Sequence, residues 1–188
     1  MNALRLGVCC LLLAACASPT VRYYRLQTAV AEPAASTEAG PTLQVGPVSL
    51  PAWLNRPQLV RTEPSGRVLL MARAEWAAPL PQLLAGALAK GIGAYLGWRQ
   101  VRAWPSTSPY AADWLVTLDV HALSADAKQL RLDADWRVLS NGQLLGRGAL
   151  ALDEPLTGTD ADALVAAHNR ALDKLAAAMA ASLRAIPR

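Results

Sequence analysis

Trp114-Leu115-Val116-Thr117-Leu118-Asp119-Val120 sets Trp114, Val116, Leu118 and Val120 on one face of an extended chain. A period of two held over seven residues marks a strand with one face buried. The pattern resumes downstream, where Leu130, Leu132, Ala134, Trp136 and Val138 alternate with Arg131, Asp133, Asp135 and Arg137. Asn141-Gly142 follows, a pair that tolerates the positive φ angles of a two-residue type I′ turn. Such a turn predicts a hairpin with Val138 opposite Leu145, Trp136 opposite Arg147 and Ala134 opposite Ala149. Arg147 is then expected to stack on Trp136.

Working outward, residues 22–27, 42–48, 58–62, 67–72 and 98–104 read as further strands, from aromatic or β-branched content or alternation. In the second of these, Leu43, Val45 and Pro47 are expected to share a face. Residues 29–41, rich in Ala, Pro, Ser and Glu, and residues 105–109 read as loops. Residues 80–96 predict a helix, with Leu80, Leu84, Leu88 and Ile92 at helical spacing, Pro79 at its start and Gly97 after its end. Residues 159–186 predict a longer one, capped by Thr159 with Asp162. Its apolar stripe is Leu164, His168, Leu172, Leu175, Met179 and Leu183. The expected architecture is α+β: an antiparallel or mixed β-sheet with two main helices packed on one face.

A chain of 188 residues with 53% apolar and 17% charged residues is neither disordered nor fibrous. Its 18 Lys+Arg against 14 Asp+Glu give a net charge of +4, but the basic residues are scattered. Nucleic acid requires cations gathered on one face, so no nucleic-acid partner is expected. Phe is absent and Trp occurs 6 times, leaving Leu, Val, Ala and Trp to fill the core.

The N-terminus, MNALRLGVCCLLLAAC, places Arg5 before an apolar run of ten residues. That is about half of the ~20 residues a membrane-crossing helix needs, and it reads as a secretory leader. Leu13-Ala14-Ala15-Cys16 resembles a lipobox. The resemblance implies cleavage before Cys16 and lipidation of Cys16, with residues 1–15 a signal peptide. Residues 16–21 would then be a tether and residues 22–188 one α+β domain. Cys9 and Cys10 leave with the leader, so the mature monomer has no cysteine pair for a disulfide or metal site. Ala17 rather than Asp after the lipidated cysteine implies the outer membrane. A tether of six residues spans only about 20 Å, which holds the domain against the membrane surface.

Val45-Gly46-Pro47-Val48-Ser49-Leu50-Pro51-Ala52-Trp53-Leu54-Asn55-Arg56-Pro57-Gln58-Leu59-Val60 resembles the signature of the ABC-type transport auxiliary lipoproteins, the PqiC-like family. Tyr23-Tyr24-Arg25-Leu26 and Glu75-Trp76-Ala77-Ala78-Pro79-Leu80 agree in order; Asn55 stands where Asp is commoner. The resemblance implies a non-enzymatic outer-membrane subunit of an intermembrane lipid transport system, its domain facing the periplasm. The implied partner is an MCE-domain protein of that ABC transporter, whose periplasmic channel the lipoprotein would dock on or cap. No cofactor is implied. Ring formation by MCE proteins makes a homo-oligomer a further expectation. The other reading from these residues is an envelope scaffold or regulator acting on a cell-wall enzyme.

Within the signature, two prolines stiffen an extended segment expected to expose Trp53 and Leu54 beside Arg56. These three residues are the candidates for partner binding, because rigid aromatic and Arg anchors dominate protein interfaces. The competing role for Trp53 is to plug the core. No catalytic, cofactor-binding or metal residue is assigned. Asp119, His121, Asp133 and Asp135 read as a solvated charge ladder with Arg131 and Arg137. His168 reads as a core histidine with its hydrogen bond satisfied. There is no Gly-x-Ser-x-Gly elbow for a hydrolase nucleophile and no phosphate loop.

Overall fold

The computed structural model describes residues 20–29, 40–63, 65–106 and 111–187. Cys16 and most of the tether lie outside these residues. Eight strands and two long helices are described: β1 (Arg22–Tyr24), β2 (Leu43–Ser49), β3 (Gln58–Thr62), β4 (Val68–Trp76), α1 (Leu80–Leu96), β5 (Val101–Ala103), β6 (Trp114–Ala125), β7 (Gln129–Ser140), β8 (Gln143–Pro155) and α2 (Ala161–Arg184). A single 3-10 turn, Ala52–Leu54, interrupts the segment between β2 and β3.

The strands form two mixed sheets where the sequence predicts one. The larger has the order β5-β2-β6-β7-β8, with β5, β2 and β6 parallel and β6, β7 and β8 antiparallel. The smaller has the order β1-β4-β3, with β1 parallel and β3 antiparallel to β4. Both helices pack against the larger sheet, α1 on β2 and β5, α2 on β7 and β8. The α+β class and its helix-covered sheet are as expected.

The alternation of β6 and β7 is reproduced in burial. Trp114, Val116, Leu118 and Val120 face the core with Leu130, Leu132, Ala134, Trp136 and Val138. From the helices, Leu84, Leu88 and Ile92 meet them, as do Leu164, Leu172, Leu175 and Met179. The hairpin register differs from the expected one. Leu139 faces Leu144 as a two-residue turn dictates, but Leu145 is then bulged out, and Val138 faces Gly146, Trp136 Gly148 and Ala134 Leu150. The bulge replaces Arg147 by Gly148 opposite Trp136. A Cβ on Gly148 would lie 2.3 Å from the indole, so the ring occupies the space a side chain would need. That ring is fixed by Trp136 Nε1 donating to Ser182 Oγ at 2.9 Å.

Other differences have equally local causes. In β2, Pro47 is exposed rather than sharing the buried face of Leu43 and Val45. Gly46, at φ 112, breaks the alternation there, and the pairing with β6 slips between Val45 and Val48. Helix α2 starts at Ala161, and its cap is Asp160 rather than Thr159. The Asp160 carboxylate accepts from Ala163 N at 2.8 Å, satisfying one of the open donors of the first turn. Residues 98–104 give only the three-residue β5, and β4 runs on through Trp76, past the expected end at residue 72.

Candidate partner-docking site

Pro51 and Pro57 bracket a short turn closed by its own backbone: Leu54 N donates to Pro51 O at 2.9 Å and Arg56 N to Leu54 O at 2.9 Å. Arg56 adds a side-chain bond, Nε donating to Trp53 O at 2.8 Å. The guanidinium is thereby held over the turn, which gives the segment a fixed shape without a helix or strand. Trp53 is half-buried and packs against the core. Leu54, expected at the surface, is buried at 2% exposure. The 3-10 turn rotates it inward, and it serves the core. Arg56 is half-buried with one edge open.

The turn does not stand alone. Trp76 N donates to Pro57 O at 2.6 Å, Gln58 pairs with Glu75 across the ladder, and Ala77 N donates to Tyr24 O at 2.8 Å. On the other flank, Tyr24 pairs with Trp76. The three stretches that carry the family resemblance, distant in sequence, are thus neighbours at one end of the smaller sheet. Two of them line a cleft of about 280 Å³, formed by Asn55, Arg56, Pro57, Trp76, Ala78 and Pro79. Its walls are apolar and stiff, and its polar groups are one amide and one guanidinium.

Beneath the cleft, Trp76 meets the His168 ring edge to face, with centroids 5.4 Å apart. His168 is 5% exposed and its Nδ1 bonds Leu164 O at 2.8 Å, which assigns that nitrogen the proton in a neutral ring. Burial pushes its pKa down to about 4. Tyr24, whose hydroxyl donates to Asp162 Oδ1 at 2.9 Å, has its pKa raised by burial and by that bond. His168 and Tyr24 are thus each fixed by a hydrogen bond to α2.

Elsewhere the charge ladder on the outer face is present. His121 Nε2 pairs with Asp135, and Arg137 with Asp119 at 2.8 Å. The Asp135 hydrogen bond raises the pKa of His121. Arg131 and Asp133 stand on β7 opposite Ser124 and Ala122. Among the described residues, no cluster of three or more His, Cys, Asp or Glu could hold a metal ion, and no helix is long and apolar enough to cross a membrane.

Sequence reasoning named Trp53, Leu54 and Arg56 but not the opposite wall, Trp76, Ala78 and Pro79. The signal for that wall was the second quoted motif, Glu75 to Leu80; only its adjacency to the first was hidden.

Fold and cleft together define an α+β protein with two helices on a mixed sheet and a cleft of aromatic, proline and arginine residues on its smaller sheet. Residues 24–180 match the ABC-type transport auxiliary lipoprotein component family, and the chain belongs to it. It is therefore an auxiliary lipoprotein component of an ABC-type transport system, held to a membrane by lipid. Two crystal structures share the fold. One is of an uncharacterized protein at 20% identity and TM-score 0.69, covering 87% of this chain and 98% of that one. The other is of a Xanthomonas campestris protein at 16% identity and TM-score 0.65, covering 84% and 92%. No curated protein matches the chain.

Proposed function

We propose that Cys16 is the lipidated residue and that the domain of residues 22–188 sits on the periplasmic face of the outer membrane. There it docks on, or caps, the periplasmic channel of an MCE-domain partner in a lipid-transporting ABC system. The role is non-enzymatic: the acyl chains fix one side of the molecule, and the cleft binds the partner. The observation that carries the reading is the convergence of two of the family stretches, through Asn55 to Pro57 and Trp76 to Pro79, on one stiff cleft, with the third paired beside Trp76. A surface preorganised by two prolines and a closed turn loses little entropy on binding. Trp53 and Arg56 are the anchors proposed for the interface, with Trp76 and Pro79 as the opposing wall.

The test is the affinity of the acylated protein for the purified MCE partner, compared with Trp53→Ala and Arg56→Ala. Loss of a central anchor is expected to weaken binding by about tenfold or more. Undiminished affinity in variants that melt like the parent overturns the assignment.

A further inference from the structure

Val68, Leu69 and Leu70 are consecutive in β4 and 37%, 38% and 51% exposed, so both faces of that stretch are partly open. Among the described residues its outer edge is unpaired as well, because β1 pairs only with Ala74, Glu75 and Trp76. A partly open apolar strand beside an unpaired edge is a surface that wants an occupant.

The path of the chain shows which one. β1 runs parallel to β4, with Arg22 opposite Ala74, so the tether reaches β1 from the side on which the β3–β4 hairpin turns. Side-chain bonds tie both strands to one place on the molecule. Arg22 reaches Asp162 at 3.6 Å, in the first turn of α2. Arg61, the cross-strand partner of Leu69, donates to Thr159 O at 3.2 Å, just before that turn. The start of β1 and the hairpin strands therefore both adjoin the start of α2. Val68 precedes Ala74 by six residues, at most about 20 Å of strand, and the tether reaches about the same distance. In addition, residues 20–76 carry six arginines (22, 25, 56, 61, 67 and 73) against four glutamates (32, 38, 63 and 75) and no Lys or Asp.

We propose that the tip of the β3–β4 hairpin rests in the headgroup region of the lipid bilayer, with Val68, Leu69 and Leu70 in the interface and Arg67 and Arg73 toward anionic phosphates. This inference rests on the acylation of Cys16, which fixes the reach. The open strand edge sets the depth: unpaired backbone groups are costly in hydrocarbon but can be hydrated among headgroups. Arg67 is already paired with Glu63 through two bonds, at 2.8 and 2.7 Å, which shapes the turn beside the apolar stretch.

The acylated full chain provides a clean experiment, since a Leu70→Cys substitution supplies its one free thiol. That thiol is labelled with NBD, and the protein is reconstituted into vesicles of phosphatidylethanolamine and phosphatidylglycerol, with and without brominated acyl chains. The expected result is a blue shift relative to detergent-free water and loss of most of the emission to the brominated lipid. A Gln143→Cys control, beyond the far end of β7, should show neither. A blue shift without bromine quenching would mean that another protein copy covers the strand, and overturns the proposal. So does an unshifted probe on a chain whose mass shows the acyl groups. A chain whose mass shows no acyl group at Cys16 overturns the anchoring reading, and this inference with it.

Discussion

His168 shows what one buried side chain contributes to pH dependence. The unfolded ring titrates near 6.5, while the folded one, desolvated beneath Trp76, titrates at about 4. Between those values the unfolded chain binds the proton and the folded chain does not, so stability falls as the pH is lowered from 6.5 toward 4. The shift corresponds to about 3 kcal/mol. His121 acts in the other window. Its raised pKa adds stability that is full below 6.5 and lost as the pH rises through the folded value. Urea melts at pH 7, 5.5 and 4.5 should therefore show an acid-side loss that a His168→Leu variant lacks. That residue was legible in the sequence, as a histidine on an apolar stripe. The bulge at Leu145 was not, because it depends on the Trp136 ring needing the space beside Gly148, a fit made only when α2 supplies Ser182.

At the level of elements, α1 carries glycines of opposite meaning. A Cβ on Gly91 would meet Thr28 Cγ2 at 2.8 Å and Ala176 Cβ at 2.9 Å. There α1, α2 and the stretch after β1 touch with no room left, and Ala176 Cβ, fixed on its helix, cannot yield easily. That stretch is tied to α2 by Gln27 N donating to Asn169 Oδ1 at 2.9 Å and Ala29 N to Asp173 Oδ1 at 3.1 Å. Gly86, by contrast, has nothing within 4 Å of its Cβ position. Gly86→Ala should stabilise by about 0.5–1 kcal/mol through helix propensity alone. Gly91→Ala should destabilise by about 1–3 kcal/mol, because overpacking outweighs the same gain. Thermal and urea melts of the two single variants check the opposite signs. The stripe of α1 was readable from its spacing, and so were its Pro and Gly ends. The division into two sheets was not, since alternation within a strand says which face is buried and nothing about which strand lies alongside.

Across the whole molecule, the smaller sheet has two ends. One is the β3–β4 turn with its exposed apolar strand; at the other, β3 begins and β4 finishes, and the cleft opens between them. Each stretch of the candidate site could be recognised in the sequence, but the site itself could not. Tyr24, Pro57 and Trp76 become neighbours only through a parallel β1–β4 pairing and a three-stranded order that no periodicity encodes. On the proposed reading, membrane contact at Val68 to Leu70 and partner recognition at Arg56 fall to separate groups on one small sheet. Perturbations at separate sites are expected to add independently. In the NBD-labelled Leu70→Cys protein, Arg56→Ala should weaken partner binding by about tenfold and leave bromine quenching unchanged. The pair Arg67→Gln and Arg73→Gln should reduce quenching and leave partner affinity within about twofold. Combining all three changes should give both losses at their single-set sizes. If Arg56→Ala also releases the hairpin from the lipid, the sheet does not keep its two ends apart, and the partner instead senses the membrane through it.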